Sequence, residues 1–241
     1  MLSVITKNSV FYSRQEVWFY NSEKIRHTNN DMYYCAFSKP IFKTEYIEEV
    51  TTRLIDLRQS KDYIYNDVDD EIKYSIRRGE RTGFVHNVIE KPNEQDLYSY
   101  YKSYNKFEKY KEWDNSLSLE RLRIFAENNA LRISKALIND EDITIHIYLV
   151  DDLKRAVLLY SHHNVDYNDY KNRGFANRYH HWNDIMYFKN TGTEIYDIGG
   201  VDFVNTPGIA NFKKLFGGKS HKQYNFQTTS GLYSVFNKIL R

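Results

Sequence analysis

The sequence reads EIYDIGGVD over residues 194–202 and GIANFKKLFGG over residues 208–218. The first segment predicts a strand over 194–198 and the second predicts a short helix near 211–216, and each is followed by a pair of glycines. A glycine pair directly after a strand lets a ligand or another backbone approach where a Cβ atom would clash. A pair after a helix can end the helix through positive φ. A plain turn is the alternative for each pair.

The segments before the first glycine pair form an ordered series of predicted elements. Apolar residues that alternate or run together between turn-rich stretches indicate strands, and apolar residues that recur every three or four positions indicate helices. Three of the strands follow one another across short, Asp-rich turns and should form an antiparallel meander. From residue 84 the predicted order is β-α-α-β-β-β-α-β-α-β. The predicted bounds are 84–89, 93–110, 116–128, 131–138, 143–150, 156–162, 175–188, 194–198, 211–216 and 223–228.

The first part of the chain has a different pattern. Residues 1–50 alternate apolar and polar side chains in short pieces, for example over 9–12, and this alternation predicts strands. Residues 60–81 carry apolar side chains every four positions and predict a helix whose end is bounded by Gly79 and Gly83. The chain is therefore expected to begin with a β-rich region followed by a helix.

The composition indicates a compact folded protein. Of the 241 residues, 41% are hydrophobic and 16% are aromatic, with three prolines and ten glycines, which excludes a disordered chain. Lys and Arg number 34 against 32 Asp and Glu, so the net charge of +2 gives no overall field that would attract nucleic acid or anionic lipid. Any basic site must be local.

The single cysteine and the apolar pattern indicate the compartment. Cys35 cannot pair within the chain, which excludes a disulfide framework and a cysteine-rich zinc site, and its place in the alternating stretch 32–37 predicts a buried strand thiol. No apolar stretch approaches the ~18 residues that a membrane-spanning helix needs, and the first residues lack a secretory pattern. We expect a soluble, cytoplasmic protein with no membrane partner.

The two glycine-bearing segments resemble the Y-D-x-G-G … G-I-x-x-F-K-x-x-F-G-G signature of Fem-type acyltransferases. This branch of the GCN5-related N-acetyltransferase (GNAT) superfamily includes peptidoglycan aminoacyltransferases and sugar-nucleotide N-acyltransferases of surface-polysaccharide pathways. The resemblance covers residues 51–90 and 150–220. It implies an α/β (α+β) fold with a GNAT-like mixed central sheet and flanking helices. In that fold a V-shaped split between two central strands admits an acyl thioester on one side and an amine on the other.

The resemblance also implies two domains. Residues 1–82 would form a small, β-rich, truncated GNAT-like domain that is completed by the C-terminal tail 219–241, and residues 83–218 would form the acyltransferase domain. Fem peptidoglycan enzymes usually have two full domains and often a coiled-coil arm that embraces transfer RNA. This sequence has no such arm, so no nucleic acid partner is expected unless the donor is an aminoacyl-tRNA.

A short stretch resembles the donor-binding loop of the superfamily. Members that bind coenzyme A place a Q/R-x-x-G-x-G/A loop between the fourth strand and the next helix, where backbone N–H groups cradle the pyrophosphate. In this chain the same place holds KNRGFA over residues 171–176. The match implies acyl-CoA as the donor, and an ordinary helix start is the alternative. The candidate cofactor-binding residues are Lys171, Arg173, Gly174, Phe175, Ala176, Asn177 and Phe212.

The resemblance gives a role to the second glycine segment as well. In the family a Phe-Lys pair approaches the transferred acyl group and its carrier, and here that pair is Phe212 and Lys213. Lys213 is therefore the candidate for stabilising phosphate or oxyanion charge during transfer. Gly199 and Gly200 are candidates for contact with the substrate.

The transfer needs a group that removes a proton, because only a neutral amine attacks a thioester. His162 and His163 end a predicted strand where the cleft should open, and an ordinary histidine pKa near ~6.5 suits a base. Strand alternation lets one of them enter the cleft, and we expect His162 to do so on the same face as Tyr160 and Leu158. Asp197 is a further candidate as base or orienter. A solvent-facing histidine pair is the alternative.

Further candidates for substrate binding are basic or aromatic. Arg77 and Arg78 lie near the end of the helix over 60–81 and could take a diphosphate, because neighbouring like charges cost stability unless an anion answers them. A helix that ends in solvent is the alternative. Tyr160 and Trp182 complete the set of candidates, with a place in the core as the alternative for Trp182.

The histidines do not predict a metal site. The pairs His162–His163 and His180–His181 are adjacent in sequence, so the two side chains of each pair point apart on a strand or a helix. No i, i+4 pair of histidines or nearby cysteine completes a tetrahedral set. We expect no metal cofactor.

Together these features favour an N-acyltransferase that uses acyl-CoA. Its acceptor would be the amino group of a nucleotide-linked (dTDP or UDP) amino sugar in surface-polysaccharide (O-antigen or capsule) biosynthesis. The first alternative is an aminoacyl-tRNA-dependent transferase that acts on a peptidoglycan precursor. The second is a binding module that keeps the fold without activity. The acyl chain, the sugar and the oligomeric state are not predicted.

Overall fold

The structure is a computed structural model that describes residues 1–8, 13–20, 30–37, 39–40, 44, 46–113, 117–152 and 154–228. The predicted strand over 9–12, the first residue of the predicted helix 116–128 and the tail from 229 lie outside the described residues. The strands are β1 (Leu2–Asn8), β2 (Ser13–Trp18), β3 (Asn30–Ala36), β4 (Tyr46–Asp56), β5 (Val85–Ile89), β6 (Leu131–Ile138), β7 (Glu141–Asp151), β8 (Arg155–His163), β9 (Ile195–Gly200) and β10 (Lys219–Thr228). The helices are α1 (Lys61–Asp67), α2 (Asp70–Thr82), α3 (Glu94–Lys111), α4 (Leu119–Glu127), α5 (Tyr170–Asn190) and α6 (Pro207–Lys214). None of these described helices is both long enough and apolar enough to cross a bilayer.

The order of elements from β5 onward is the predicted one. It runs β5-α3-α4-β6-β7-β8-α5-β9-α6-β10, which confirms the mixed α/β fold class. The helix α3 begins where Asn93 and Asp96 form a reciprocal capping box, close to the start predicted at residue 93. Strand β7 is buried at every position from Ile143 to Val150, as expected for a central strand covered on both faces.

The described residues group into two compact units. The first unit comprises Met1–Thr52 and the described residues from Ser220, and the second comprises Arg53–Lys219. In the first unit β1 pairs with β2 antiparallel, β2 pairs with β3 parallel and β3 pairs with β10 antiparallel. Its core is aromatic, with the rings of Tyr33 and Phe226 stacked 4.6 Å apart. The domain boundary at residue 82 stays a prediction.

In the second unit the end of β4 is followed in the sheet by β9, β8, β7, β6 and β5, in that order. Strands β6, β7 and β8 form the predicted antiparallel meander. Strand β9 joins it parallel to β8, and the paired residues are Arg155–Val157 with Ile195–Asp197. The pairing between β8 and β9 ends there, so the second half of β8 has no paired residue on β9.

Strand β8 contains a β-bulge that changes which side chains share a face. Tyr148 of β7 pairs with Leu158 whereas Ile147 pairs with Tyr160, which leaves Leu159 as the extra residue. Leu158 packs into the core cluster on the α5 side, while the ring of Tyr160 packs against Tyr104 of α3 at 5.2 Å. The prediction that Leu158 shares the face of Tyr160 and His162 is therefore wrong, because an extra residue reverses the alternation.

The single helix predicted over 60–81 is two helices. α1 ends before Val68, whose backbone is extended, and Asp69 caps α2 by accepting the N–H of Glu71. Gly83 ends α2 in the left-handed conformation at φ 82°, as expected. Gly79 lies inside α2, where a Cβ atom would stand 2.7 Å from Cγ of Tyr179. That glycine lets α2 and α5 pack closely.

Candidate functional site

A cavity of about 520 Å³ lies beside the second half of β8, where the pairing with β9 has ended. Its walls come from β8, the end of α3, the first turns of α5 and helix α6. This volume is in the range of small-ligand sites. The predicted site residues that line it are Tyr160, His162, His163, Arg173, Gly174, Asn177, Phe212 and Lys213. The other predicted residues, which lie outside its lining, are Arg77, Arg78, Lys171, Phe175, Ala176, Trp182, Asp197, Gly199 and Gly200.

The charged groups around the cavity are all cations. Among its described lining residues these are Lys111, Arg173 and Lys213. The guanidinium of Arg173 lies 4.5 Å from the ring centre of Tyr170, and the ammonium of Lys111 lies 5.9 Å from that of Phe107. A ligand that carries negative charge, above all phosphate, would complement this lining.

Lys213 reaches the glycine turn at the end of β9. Its ammonium donates to the carbonyl oxygen of Gly200 at 2.7 Å. Gly199 has φ +85°, and a Cβ atom there would stand 3.3 Å from Nζ of Lys213 and 3.3 Å from the carbonyl oxygen of Leu158. Burial lowers the pKa of Lys213 to about 8, against the opposing charge of Asp197. The first glycine pair therefore leaves room for a lysine whose ammonium loses its proton unusually easily.

Asp197 stabilises the conformation of this turn. Its buried carboxylate forms an ion pair with Arg155 and accepts the N–H of Gly199 at 2.9 Å. The two contacts fix the backbone at the left-handed glycine. Asp197 thus stabilises the turn and does not line the cavity.

The second glycine pair serves packing. A Cβ atom on Gly217 would stand 2.8 Å from the carbonyl oxygen of Asp67, and one on Gly218 would stand 2.9 Å from Cγ1 of Ile55. The N–H of Gly218 donates to the carboxylate of Asp67 at 2.7 Å, and Arg53 donates to the carbonyl oxygens of both glycines. These contacts tie the end of α6 to the end of α1.

His162 and His163 both line the cavity, but their environments differ from the expected one. Ser103 donates to the carbonyl oxygen of Tyr100, so its oxygen accepts from Nε2 of His162 at 2.9 Å. Burial, with the nearby His146, lowers the pKa of His162 to about 3. Burial, with the charge of Arg173, lowers the pKa of His163 to about 4. The expectation of a histidine pKa near neutrality is therefore wrong for this pair, because both rings are desolvated.

The predicted donor loop is part of a helix. α5 begins at Tyr170, five residues before the predicted start, so residues 171–176 are helical. The carboxylate of Asp169 caps the helix and accepts the N–H of Asn172 at 2.9 Å. Ala176 is fully buried, in a small cluster on the inner face of the helix. The prediction of a loop here is wrong, because Asp169 starts the helix earlier.

Three predicted residues lie in other surroundings. Arg77 is exposed, with one guanidinium nitrogen 3.4 Å from the hydroxyl of Tyr65. Arg78 lies over the ring of Phe175 at 4.6 Å, which is a cation–π contact. Trp182 is buried in the core beside α1, as its structural alternative had it. These three side chains belong to the packing of α1, α2 and α5.

A buried polar cluster beside the cavity was not predicted. Asp184 of α5 accepts from His86 at 2.8 Å, from His146 at 2.7 Å and from Tyr148 at 2.7 Å, and also from Ser134. Its side chain is fully buried. Two signals in the sequence could have indicated the cluster. One is the i, i+4 spacing of His180 and Asp184, and the other is a histidine inside the otherwise apolar stretch ITIHIYLV over 143–150.

Two groups in this cluster have the composition of metal ligands. They are His86 with His180 and Asp184, and His146 with His181 and Asp184, and within each group the donor atoms lie within 4.8 Å of one another. Two ligands on a tetrahedral zinc ion stand roughly 3.3 Å apart for bonds of about 2.0 Å. The contacts of His86 and His146 with Asp184 are shorter, at 2.8 and 2.7 Å, and are hydrogen bonds.

Comparison with known proteins gives likeness at the level of fold. No protein-family model matches the sequence, and no curated protein matches it. The C-terminal DUF2156 domain of a lysylphosphatidylglycerol synthetase candidate from Agrobacterium fabrum superposes with a TM-score of 0.58 at 12% identity, over 87% of this chain and 71% of that one. FemX superposes with a TM-score of 0.59 at 10% identity, over 77% of this chain and 63% of its own. L-PGS from Bacillus licheniformis gives 0.55 at 9% identity, over 86% and 70%.

These likenesses show that the chain has a GNAT-like fold. The cavity lies beside the second half of β8, beyond the last residues that pair with β9. The V-shaped split between two central strands stays a prediction. The chain spans less than two thirds of the FemX chain.

Proposed function

We propose that this chain transfers an acyl or aminoacyl group from an activated, phosphate-bearing donor to an amine held in the cavity. The position of Lys213 carries the proposal, because its ammonium stands at the glycine turn beside the cavity, 2.7 Å from the carbonyl oxygen of Gly200. The GNAT-like fold supports it. So does the likeness to the C-terminal domain of the lysylphosphatidylglycerol synthetase candidate from Agrobacterium fabrum.

The donor is proposed to carry phosphate because the charged lining residues Lys111, Arg173 and Lys213 are all cations. Acyl-CoA fits this requirement through its pyrophosphate, and the resemblance of residues 171–176 to the coenzyme A loop favours it. An aminoacyl-tRNA fits it through its terminal phosphodiesters. One observation favours this second donor: the carboxylate of Asp169 already occupies the start of α5, where a pyrophosphate would bind.

The acceptor is proposed to be an amine on a nucleotide-linked amino sugar, which the resemblance to sugar-nucleotide N-acyltransferases suggests. With an aminoacyl-tRNA donor, the acceptor would instead be an amine of a peptidoglycan precursor. Both acceptors carry a diphosphate in addition to the amine, so the cationic lining suits either of them. A fold without activity is the remaining alternative, and it predicts binding without turnover.

The proposed reaction has three changes of bond. The amine nitrogen bonds to the donor carbonyl carbon, the bond from that carbon to its sulfur or oxygen breaks, and the proton lost by the amine ends on the leaving group. Negative charge develops first on the carbonyl oxygen and then on the leaving atom. Lys213 is the cation that we assign to this charge, because its ammonium lies on the cavity wall and is partly desolvated.

A donor screen tests the proposal. The purified chain is incubated with a mixture of amino-sugar nucleotides and peptidoglycan precursors, and with either acetyl-CoA or a set of aminoacyl-tRNAs. Products are followed by mass spectrometry. Release of free thiol with a new amide supports acyl-CoA, and transfer from aminoacyl-tRNA alone supports the second donor. Absence of any new amide, with ligand-induced thermal stabilisation retained, would identify a binding module and refute the proposal.

A further inference from the structure

A chain of buried hydroxyl groups connects the cavity wall to Asp184. Tyr148 donates its O–H to the carboxylate at 2.7 Å, and its oxygen lies 2.7 Å from the hydroxyl of Tyr196. The hydroxyl of Tyr196 lies 3.4 Å from Nδ1 of His181, which lines the cavity. His181, Tyr196, Tyr148 and Asp184 thus form a continuous hydrogen-bonded path from the cavity into the core.

The direction of these hydrogen bonds follows from the number of hydrogens. A tyrosine hydroxyl carries one hydrogen, and that of Tyr148 is used on Asp184, so Tyr148 must accept from Tyr196. The hydrogen of Tyr196 is then used, and its oxygen can only accept from His181. His181 is therefore the Nδ1–H tautomer. Its other ring nitrogen, Nε2, carries the lone pair and is the nitrogen left for a ligand of the cavity.

Asp184 is an ionised carboxylate with its acceptor positions filled. Burial alone would raise its pKa, but the adjacent His180 and hydrogen bonds from His146 and His86 hold the pKa well below its usual value. Burial and the charge of Asp184 raise the pKa of Tyr148 well above its ordinary value, so the hydroxyl keeps its hydrogen. The path thus ends on a fixed negative charge.

The remaining histidines of the cluster have their own partners. His180 bonds to Ser134 at 2.8 Å through Nε2 and to Thr144 at 2.7 Å through Nδ1. Both ring nitrogens of His180 are therefore occupied inside the core. His181, its neighbour in sequence, is the one of the two that faces the cavity lining.

We infer that His181 is the residue that takes the proton from the attacking amine, and that Tyr196, Tyr148 and Asp184 are positioning residues that hold it in the required tautomer. This inference rests on the proposed function. Nε2 of His181 accepts the amine proton as the nitrogen bonds to the acyl carbon, and the resulting imidazolium returns a proton to the leaving sulfur or oxygen. Asp184 stays ionised throughout and stabilises the imidazolium through the two hydroxyls, as the carboxylate of a catalytic triad does.

The same geometry explains why His162 is a poorer candidate. Its Nε2 is the donor to Ser103, and Nδ1, the nitrogen with the lone pair, is buried without a partner among the described residues. No carboxylate in the part of the chain that the structure describes hydrogen-bonds to its ring. For His181, by contrast, the charge of Asp184 acts to raise the pKa, although burial and His146 hold that pKa well below the ordinary value.

The first test is nitrogen NMR of protein labelled with ¹⁵N at histidine, which needs no substrate. The signals of His181 are identified by their loss in His181→Gln. We expect a protonated Nδ1 and a bare Nε2 in the parent protein, and a shift toward Nε2–H in Tyr196→Phe. Tyr187 lies on α5 with His181, and its hydroxyl donates to Glu90 outside the cluster. Tyr187→Phe is therefore the matched control and should leave the His181 signals unchanged. A parent protein with Nε2–H, or no change in Tyr196→Phe, would overturn the inference that Tyr196 fixes the tautomer of His181.

The second test is turnover with whichever donor supports transfer. His181→Gln should lower kcat by roughly 10²–10⁴-fold, as expected for loss of a general base. Tyr196→Phe and Tyr148→Phe should lower kcat by about 10-fold or more, with KM for the amine unchanged, because they act through His181. Full activity of all three variants would overturn the inference. No transfer by the parent protein would instead refute the proposed function, and the NMR measurement would still decide the tautomer. Stoichiometric zinc bound to the cluster in the purified protein would also overturn the inference.

Discussion

The ammonium of Lys213 lies 3.3 Å from the point at which a side chain on Gly199 would begin. Gly199 has φ +85°, a conformation that L side chains rarely adopt, and its N–H is held by the carboxylate of Asp197. The glycine therefore does two things at once. It permits the turn, and it leaves the space that the lysine needs to reach the carbonyl oxygen of Gly200.

Gly199→Ala tests this relationship. We expect the variant to lose acyl transfer by on the order of 10-fold or more, because a methyl group must displace the ammonium or the turn, and a misplacement of about 1 Å can cost 10²-fold. Gly208→Ala is the matched control, since a Cβ atom at Gly208 in α6 meets nothing within 4 Å. Equal activity of the two variants in the transfer assay would show that the space beside Gly199 is not needed.

The pH dependence of transfer reports the charge of Lys213. Because burial lowers its pKa to about 8, the ammonium loses its proton above that pH, and kcat/KM should fall as the pH rises through 8. Lys213→Arg keeps its charge at these pH values and should abolish the fall near pH 8. The measurement is the pH–rate profile of both proteins. A fall near pH 8 that persists in Lys213→Arg would contradict this assignment, because the fall would then come from another group.

The buried histidines make stability depend on pH. The pKa of His162 is about 3 in the folded chain, against about 6.5 for an exposed histidine. The unfolded chain therefore binds a proton below pH 6.5 that the folded chain does not bind. Above pH 6.5 this group does not change the free energy of unfolding. As the pH falls from 6.5 toward 3, the free energy of unfolding decreases by up to about 1.4 kcal/mol per pH unit because of this group.

His162→Gln removes this group and should flatten the dependence. The free energy of unfolding is measured by urea titration between pH 7.5 and 4.5 in both proteins, and the difference between them at pH 7.5 is subtracted as the cost of the substitution itself. We expect the parent to lose more stability than the variant over this interval. Parallel curves would mean that the pKa of His162 is the same in the folded and unfolded chains.

Two helical glycines form a matched pair for the packing of α5. Gly79→Ala should destabilise the fold by roughly 1–3 kcal/mol, because its Cβ atom would stand 2.7 Å from Cγ of the Tyr179 ring. Gly174→Ala meets only the end of Arg178, at 3.5 Å, and should gain up to about 1 kcal/mol from helix propensity. Thermal or urea unfolding of both variants measures the difference. A neutral Gly79→Ala would contradict the close approach of α2 and α5.

The order of elements could be predicted from the sequence because periodicity and turn composition are local properties. The meander of β6, β7 and β8 followed from its Asp-rich turns, and its strands have the predicted positions within a few residues. The bulge at Leu159 could not be predicted in this way. An extra residue in a strand is set by the pairing with β7, which no local pattern contains.

Part of the site could be predicted because its motif is local in the sequence. The resemblance led to Lys213 through its motif, and the structure brings it to the cavity with His162 and His163. The start of α5 was missed because Gly174 suggested a loop, whereas Asp169 caps the helix before it. The cluster around Asp184 was missed because its members come from β5, β6, β7, β9 and α5. Only His180 and Asp184 have a spacing in sequence that indicates contact, and the other members are brought together by the fold.

The account depends most directly on the role of Lys213, and its neighbour provides the control. Lys214 is exposed on the same helix, so Lys214→Ala changes the charge of the chain equally without touching the cavity. In a single-turnover transfer assay with the donor that supports activity, Lys213→Ala should slow amide formation by roughly 10²-fold, as expected for loss of a group that stabilises developing charge. Lys214→Ala should match the parent protein. Amide formation at the parent rate in folded Lys213→Ala would contradict the account.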